Sequence, residues 1–214
     1  MRNRDLARAF LPDYPEVGER LRARRRARGL SLRTLAERLG VSPSLISQIE
    51  RGRARPSVST LFAIVTELDA SLDELLFNDE RPPSSAEPAA RPSPVQEAST
   101  RHSIRLASGV VWERLTTASQ PGVEFLFVVY DVGGASSPGD TYQNHSGYEW
   151  GYVISGVLEV IIGFDRYVLQ PGDAVSLDSS VPHRLANIGD TPVHAIWFVL
   201  GRDADPRVIG KPPD

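Results

Sequence analysis

The sequence contains no cysteine among its 214 residues. A disulfide framework and a zinc site built on thiolates are therefore excluded. No segment approaches the ~20 apolar residues that a membrane-spanning helix needs, and RNRDLARAFLPDY after Met1 lacks the apolar core of a signal peptide. We find no internal repeat. These absences predict a cytoplasmic protein, and the hydrophobic fraction of 41% is enough to fill ordinary cores.

The net charge of −3 conceals an uneven distribution along the chain. Residues 1–78 contain 14 Arg and 10 acidic residues, whereas residues 79–214 contain 10 Arg and Lys against 17 acidic residues. Within 16–55 the imbalance is sharper, with 11 Arg and 4 Glu. A basic N-terminal unit on an acidic body is typical of a DNA-binding head. The alternative is a charged face that is merely solvated.

Two short helices joined by a tight turn are predicted between Ser31 and Leu61. Apolar residues recur at helical spacing in the first helix, at Leu32, Leu35, Ala36 and Leu39, and Gly40 then stops it. The second helix has Ser42 as N-cap and Pro43 at its first position. Its apolar face carries Leu45, Ile46 and Ile49, and its polar face Ser44, Ser47, Gln48 and Arg51. This pattern indicates a helix-turn-helix.

Three more helices are predicted in the same unit, over residues 16–29, after Ser57 and after Ser71, so that five helices surround one core. The stretch from Ser31 to Leu61 closely resembles the phage-repressor-like (XRE) family of DNA-binding domains. The resemblance implies that the second helix of the pair reads bases in the major groove.

By this resemblance, Ser44 and Gln48 read bases, with Pro43 and Ser47 beside them. Phosphate contacts are expected from Ser31, Ser42, Arg51, Arg53 and Arg55. The family also implies a structural ion pair between Arg25 and Glu50, joining the first and third helices. The alternative to DNA binding is a helix-turn-helix retained for contacts with protein.

The segment from Asp79 to Thr100 is rich in Pro, Ser, Ala and charge, and we expect a flexible linker over 79–103. From about Arg105 apolar and polar residues alternate in short stretches, such as VEFLFVVYDV, VLEVIIG and VHAIWFVL. Turn signals separate these stretches, for example at Gly133-Gly134. Many short strands of this kind predict an all-β sandwich or barrel.

Two stretches of the β region, Tyr142–Gly163 and Leu169–Asn187, resemble the two cupin motifs, which implies a double-stranded β-helix barrel. In the first motif His145, Glu149 and Gly156 match, while Gln143 replaces the first His. In the second, Gly172, His183 and Asn187 match, while Asp178 and Ser180 replace the usual Pro and Gly.

A two-His-one-carboxylate set follows from the cupin spacing: His145, Glu149 and His183. Such a set is typical of non-haem iron(II) with open positions, and manganese, nickel or zinc are chemically possible. Glu149 follows His145 by four positions, so a regular strand would point both to one face. Gln143 could add a weaker carbonyl ligand. Alternatively, the same residues hydrogen-bond an organic effector, or one another, in a metal-free pocket.

The chain thus resembles bacterial regulators that join an XRE-type helix-turn-helix to a cupin sensor. We expect a DNA-binding domain at 16–78 and a sensor domain at 104–202. The expected partners are operator DNA, a small-molecule effector and a second copy of the chain. The alternative is an enzyme, a cupin oxygenase or epoxidase that carries a helix-turn-helix-like domain; the arginine-rich DNA face argues against it.

Overall fold

A computed structural model describes residues 14–70, 72–76, 93–118 and 122–201. Most of the predicted linker, residues 79–92, lies outside the described residues, as does the expected start of the last helix at Ser71. The helices and strands within the described part follow the predicted order, helices first and strands afterwards.

Five α-helices form the N-terminal unit in the described part of the chain, the number that the sequence predicts. They are α1 (Tyr14–Ala27), α2 (Leu32–Arg38), α3 (Pro43–Glu50), α4 (Val58–Leu68) and α5 (Leu72–Leu76). The serines at the N-caps of α2, α3 and α4 each accept a hydrogen bond from the backbone N–H three residues later. These caps are Ser31, Ser42 and Ser57. Within the described residues no helix is long and apolar enough to span a membrane.

In residues 93–118 and 122–201, nine antiparallel strands form the C-terminal unit in two sheets. Six of them are ordered β1-β2-β3-β9-β4-β7 and three are ordered β6-β5-β8. Their bounds are β1 (Ser103–Arg105), β2 (Val110–Arg114), β3 (Val123–Tyr130), β4 (Tyr148–Ser155), β5 (Leu158–Ile162), β6 (Asp165–Leu169), β7 (Ala174–Asp178), β8 (His183–Asn187) and β9 (Val193–Leu200). This arrangement agrees with the predicted cupin barrel.

The two units share one continuous cluster of buried apolar side chains, which runs from α1 to β9. Two backbone hydrogen bonds also cross between them, from Ser59 N–H to the Ser136 carbonyl (3.1 Å) and from Ala107 N–H to the Pro56 carbonyl (2.9 Å). Both bonds lie close to α4 in the fold. This helix therefore borders the helical core on one side and the barrel on the other.

Candidate nucleic-acid interface and candidate metal centre

Helix α3 presents a polar surface because its apolar side chains are buried on the opposite face. Ile46 and Ile49 are fully buried, whereas Ser44 and Gln48 are exposed. The Gln48 side-chain amide donates a hydrogen bond to the Ser44 hydroxyl (3.2 Å), so the two side chains are neighbours one turn apart. The two residues predicted to read bases therefore lie side by side at the exposed surface of α3.

The remaining residues predicted to contact DNA lie on or next to this helix pair. Ser31 caps α2, and Ser42 and Pro43 begin α3. The Arg51 guanidinium donates to the Ser47 carbonyl (3.0 Å) and to the Ser47 hydroxyl (2.5 Å). Arg53 and Arg55 are exposed in the segment that follows α3.

Arg25 and Glu50 form the ion pair that the resemblance implies. The Arg25 guanidinium donates twice to the Glu50 carboxylate, at 2.5 and 2.9 Å, and also to the Leu30 carbonyl at 2.7 Å. The hydrogen bond to Glu50 raises the pKa of Arg25 above its ordinary value, although burial opposes it. Since both side chains are buried, this pair fixes α3 against α1 and is not available to contact DNA.

The predicted metal ligands come together inside the barrel. His145 Nε2 lies 2.8 Å from Glu149 Oε1, and His183 Nε2 lies 3.1 Å from the same oxygen. The ligand atoms of the three residues all lie within 4.8 Å of one another. The fold therefore brings the three side chains together, at a distance that one cation could bridge.

The local backbone places these ligands in a way that strand alternation alone does not explain. Glu149 is on β4 and His183 begins β8, but His145 lies in the loop before β4. The expectation that His145 and Glu149 share one regular strand is therefore wrong. Backbone hydrogen bonds between His145 N–H and the Ser179 carbonyl, and between Ser179 N–H and the Gly147 carbonyl, both 2.9 Å, hold this loop against the segment before β8.

The imidazole of His183 is oriented for coordination. In the tautomer whose Nδ1–H donates to the Val181 carbonyl (2.9 Å), the Nε2 atom faces the site and can accept a hydrogen bond or bind a cation. Gln143 pairs with His183 through two backbone hydrogen bonds, and its side-chain amide donates to His183 Nε2 (3.0 Å). Gln143 thus lies beside the three converging side chains.

Electrostatics couple the carboxylate to the two imidazoles. Burial raises the pKa of Glu149, but the contacts with His145 and His183 outweigh burial and hold that pKa well below its ordinary value. Burial lowers the pKa of His183, yet Glu149 and the Val181 carbonyl raise it above its ordinary value. His183 therefore retains a proton more readily than a free histidine does.

The donor set fits a divalent cation. Glu149 Oε1 and His145 Nε2 are buried and close together, but their alignment is not that of a hydrogen bond, and neither has such a partner among the described residues. Two imidazole nitrogens and one carboxylate oxygen that converge in this way are the ligand types of the facial triad, and the imidazoles lose their protons when a metal binds. The cluster can bind a divalent metal ion and leaves positions open for other ligands.

The residues that orient Glu149 come from two neighbouring strands and not from the cupin motif positions. Trp197 on β9 donates its indole N–H to Glu149 Oε2 (2.6 Å), so the other oxygen faces the histidines. Gly151 lies opposite Trp197 in the sheet, and a Cβ atom there would overlap the indole ring. Only the register between β4 and β9, which sequence patterns do not provide, brings these residues together.

A small cavity of about 20 Å³ adjoins the cluster. Helix α4 forms one wall of it with Val58 and Phe62, and the Phe62 ring stacks on the His145 ring at 3.9 Å between centroids. The other lining residues are Trp112, Leu126, Val128, Tyr130, Gln143, Glu149, Leu185, Trp197 and Val199.

Comparison with known proteins agrees with this architecture. A helix-turn-helix family model matches residues 21–75, and a cupin domain model matches residues 126–199. The HTH-type transcriptional regulator PuuR of Escherichia coli K12 is 28% identical over 172 residues, which cover 79% of this chain and 86% of that protein. The regulator SutR of the same organism is 29% identical over 188 residues, or 81% and 88% of the two chains.

A solved structure shows the same fold. The HTH_3 family transcriptional regulator from Vibrio cholerae aligns with 88% of this chain and 96% of its own, with a TM-score of 0.62 and 22% identity. Both domains of the present chain thus occur together, in the same order, in known regulators. The chain belongs to the XRE-type helix-turn-helix transcriptional regulators with a C-terminal cupin domain, and it is a DNA-binding regulator.

Proposed function

We propose that this regulator reads an operator through α3, and that its cupin domain binds a small molecule that changes the affinity for DNA. The main support for DNA recognition by α3 is the exposed Ser44–Gln48 pair, which lies on a helix whose other face is buried. A glutamine in this position can form two hydrogen bonds with adenine, while serine accepts several bases.

We assign the individual residues of the DNA-binding domain the roles that the sequence predicts. Ser44 and Gln48 read base edges, with Pro43 and Ser47 beside them. Ser31, Ser42, Arg51, Arg53 and Arg55 contact phosphates. The surplus of arginine in residues 16–55 supports this assignment, because neutralising phosphates supplies much of the affinity for DNA.

The regulator acts as a homodimer formed by its β domain. Two helix-turn-helix heads read half-sites about 34–36 Å apart, which requires a second copy. Support comes from aromatic side chains on the outer face of the six-stranded sheet. Tyr148, Trp150, Tyr152 and Phe125 are exposed there, and the Trp150 and Phe198 rings are 5.7 Å apart. Exposed apolar patches of this kind mark protein contact sites.

The sensor site contains His145, Glu149 and His183, with Gln143 beside them. These residues would hold an iron(II), manganese, nickel or zinc ion, which would offer open positions to an effector. The effector alters DNA binding only if its affinity differs between two states of the protein. Alternatively, the same residues bind the effector by direct hydrogen bonds, without a metal ion.

We assign DNA binding to residues 16–78 and effector binding to residues 104–202, with residues 79–103 as the linker between them. The protein acts in the cytoplasm, where its operator DNA is found. The barrel senses and does not catalyse. An oxygenase or epoxidase built on the same three ligands has no need for base selectivity in its helical domain.

Selection from random duplex DNA by the full chain tests this function. We expect one motif with two related half-sites. Recovery of unrelated sequences, with no enrichment over successive rounds, would remove the regulator function and favour the enzymatic alternative.

A further inference from the structure

Helix α4 of the DNA-binding unit forms part of the sensor site. The rings of Phe62 and His145 are nearly parallel, with an angle of 9° and 3.9 Å between centroids. Phe62 also makes an edge contact with Trp112, at 5.9 Å. Val58, one turn earlier on α4, lines the same cavity. Phe62 of the DNA-binding unit thus packs directly on His145, a candidate metal ligand of the barrel.

The cavity that remains beneath Phe62 is too small for an organic molecule. Its volume of about 20 Å³ corresponds to about one water. The surrounding residues are nevertheless those of a ligand site, with aromatic walls and a few polar groups. The Gln143 side-chain oxygen is buried there without a hydrogen-bond partner among the described residues.

We propose that α4 is the lid of the cupin pocket: Phe62 occupies the place of the effector's ring, so an effector enters only when α4 withdraws. This inference rests on the proposed function, because it assumes that the barrel senses a small molecule. It assigns Phe62 and Val58, residues of the DNA-binding unit, to the effector site.

The position that Phe62 occupies also indicates the class of ligand. A flat ring of about the size of a phenyl group can replace Phe62 on His145 and against Trp112. The unpartnered oxygen of Gln143 requires a hydrogen-bond donor. The fitting effector is therefore a small planar molecule that carries an N–H or O–H group.

The lid provides a direct route from the pocket to DNA. Since α3 and α4 contribute side chains to the same buried cluster, withdrawal of α4 changes how the recognition helix is held relative to the barrel. Any difference in DNA affinity between the docked and withdrawn states must appear reciprocally in access to the pocket.

Tryptophan fluorescence can test the lid without knowledge of the effector. Of the three tryptophans, Trp112 and Trp197 line the pocket, whereas Trp150 lies on the outer face. In a Trp150→Phe background, quenching by acrylamide therefore reports whether a neutral organic molecule larger than water enters the pocket.

In this background we expect Phe62→Ala to raise the quenching constant about threefold, because the open state becomes populated. Phe62→Leu, which keeps an apolar lid without the stacked ring, should raise it less. The matched control is Val65→Ala, since Val65 is buried on α4 but does not line the pocket. Equal quenching for the parent, both Phe62 variants and the control would overturn the lid.

The coupling to DNA is measured by adding the selected operator, with a scrambled duplex as control. The lid predicts that operator, but not the scrambled duplex, changes the quenching constant of the parent. The unmodified protein could select an operator and yet be quenched equally with and without it. That result would contradict the coupling between the lid and DNA binding, but not the proposed regulator function. A parent that selects no sequence contradicts the proposed function instead.

Discussion

The guanidinium of Arg25 in α1 and the carboxylate of Glu50 at the end of α3 form a buried, two-pronged ion pair. Through it the recognition helix is fixed to the first helix, so the exposed face of α3 has one orientation. Removal of either partner is strongly destabilising, because it leaves the other charge buried without an opposite charge beside it.

Glu50→Gln should therefore lower the free energy of unfolding by about 3 kcal/mol, the usual cost of leaving one buried charge unpaired. Chemical denaturation followed by circular dichroism measures this change. Arg33→Ala is the control, since Arg33 pairs with Glu37 on the surface of α2 and should contribute less than about 0.5 kcal/mol. Equal losses for the two variants would show that burial does not govern the pair.

The orientation of Glu149 depends on the contact between Gly151 and Trp197. Gly151→Ala places a methyl group within the indole ring, and displacement of Trp197 removes its hydrogen bond to Glu149. We expect a loss of about 1–3 kcal/mol of stability from overpacking, together with weaker metal binding. Differential scanning calorimetry measures the stability and isothermal titration calorimetry the metal affinity. In Gly189→Ala the new methyl group makes only ordinary contacts, the nearest at 3.5 Å, so this control should behave as the unmodified protein in both measurements. Equal behaviour of Gly151→Ala and Gly189→Ala would contradict the role of the Gly151–Trp197 contact.

Metal binding should require both imidazoles and fall with falling pH. Protons compete for the nitrogen lone pairs, and because Glu149 raises the pKa of His183, this competition begins at a higher pH than for free histidine. Titration of the purified chain with zinc at several pH values measures the effect.

His145→Ala combined with His183→Ala should abolish this binding while operator binding persists. His194→Ala provides the control, because His194 contacts Ser155 on β4 and not the cluster. Metal binding that survives the double variant, or an affinity that rises as the pH falls, would show that the cation binds elsewhere.

The aromatic outer face should hold the two copies together. Trp150→Asp places a charge in that patch and should shift the protein from dimer to monomer at micromolar concentration, because an unpaired charge is costly at an interface core. Sedimentation measures the shift. Phe164→Asp changes an equally apolar residue in the fully exposed β5–β6 turn and should leave the dimer unchanged. The opposite outcome, dissociation by Phe164→Asp alone, would place the interface at that turn.

Local sequence signals predicted the helices and strands of the described part well. The serine caps and the stop at Gly40 fixed α2 and α3, and Gly40 indeed has a positive φ of 65°. The cupin spacing identified three side chains that the fold brings together. These features are encoded within a few residues or by a motif, so one sequence is enough to find them.

What the sequence could not predict depends on contacts between distant segments. Trp197 reaches Glu149 only through the register of β9 on β4, and Phe62 reaches His145 only through the packing of α4 on the barrel. Phe62 reads as an ordinary core position of an amphipathic helix, and no periodicity marks it as part of a pocket. His145 shows the same limit, since its place in a loop was not evident from spacing.

The role of α3 in reading DNA is measured by a ratio of two affinities, for the selected operator and for a scrambled duplex. The ratio is determined for the unmodified protein and for Gln48→Ala at one salt concentration. We predict a ratio of about 10³ or more for the parent, and a loss of about 1–3 kcal/mol of discrimination in Gln48→Ala, concentrated at one base pair of each half-site. Arg53→Ala, by contrast, should weaken binding to both duplexes alike and reduce the salt dependence. A ratio near unity for the parent, or a Gln48→Ala variant as selective as the parent, would contradict the assignment of α3 as the helix that reads DNA.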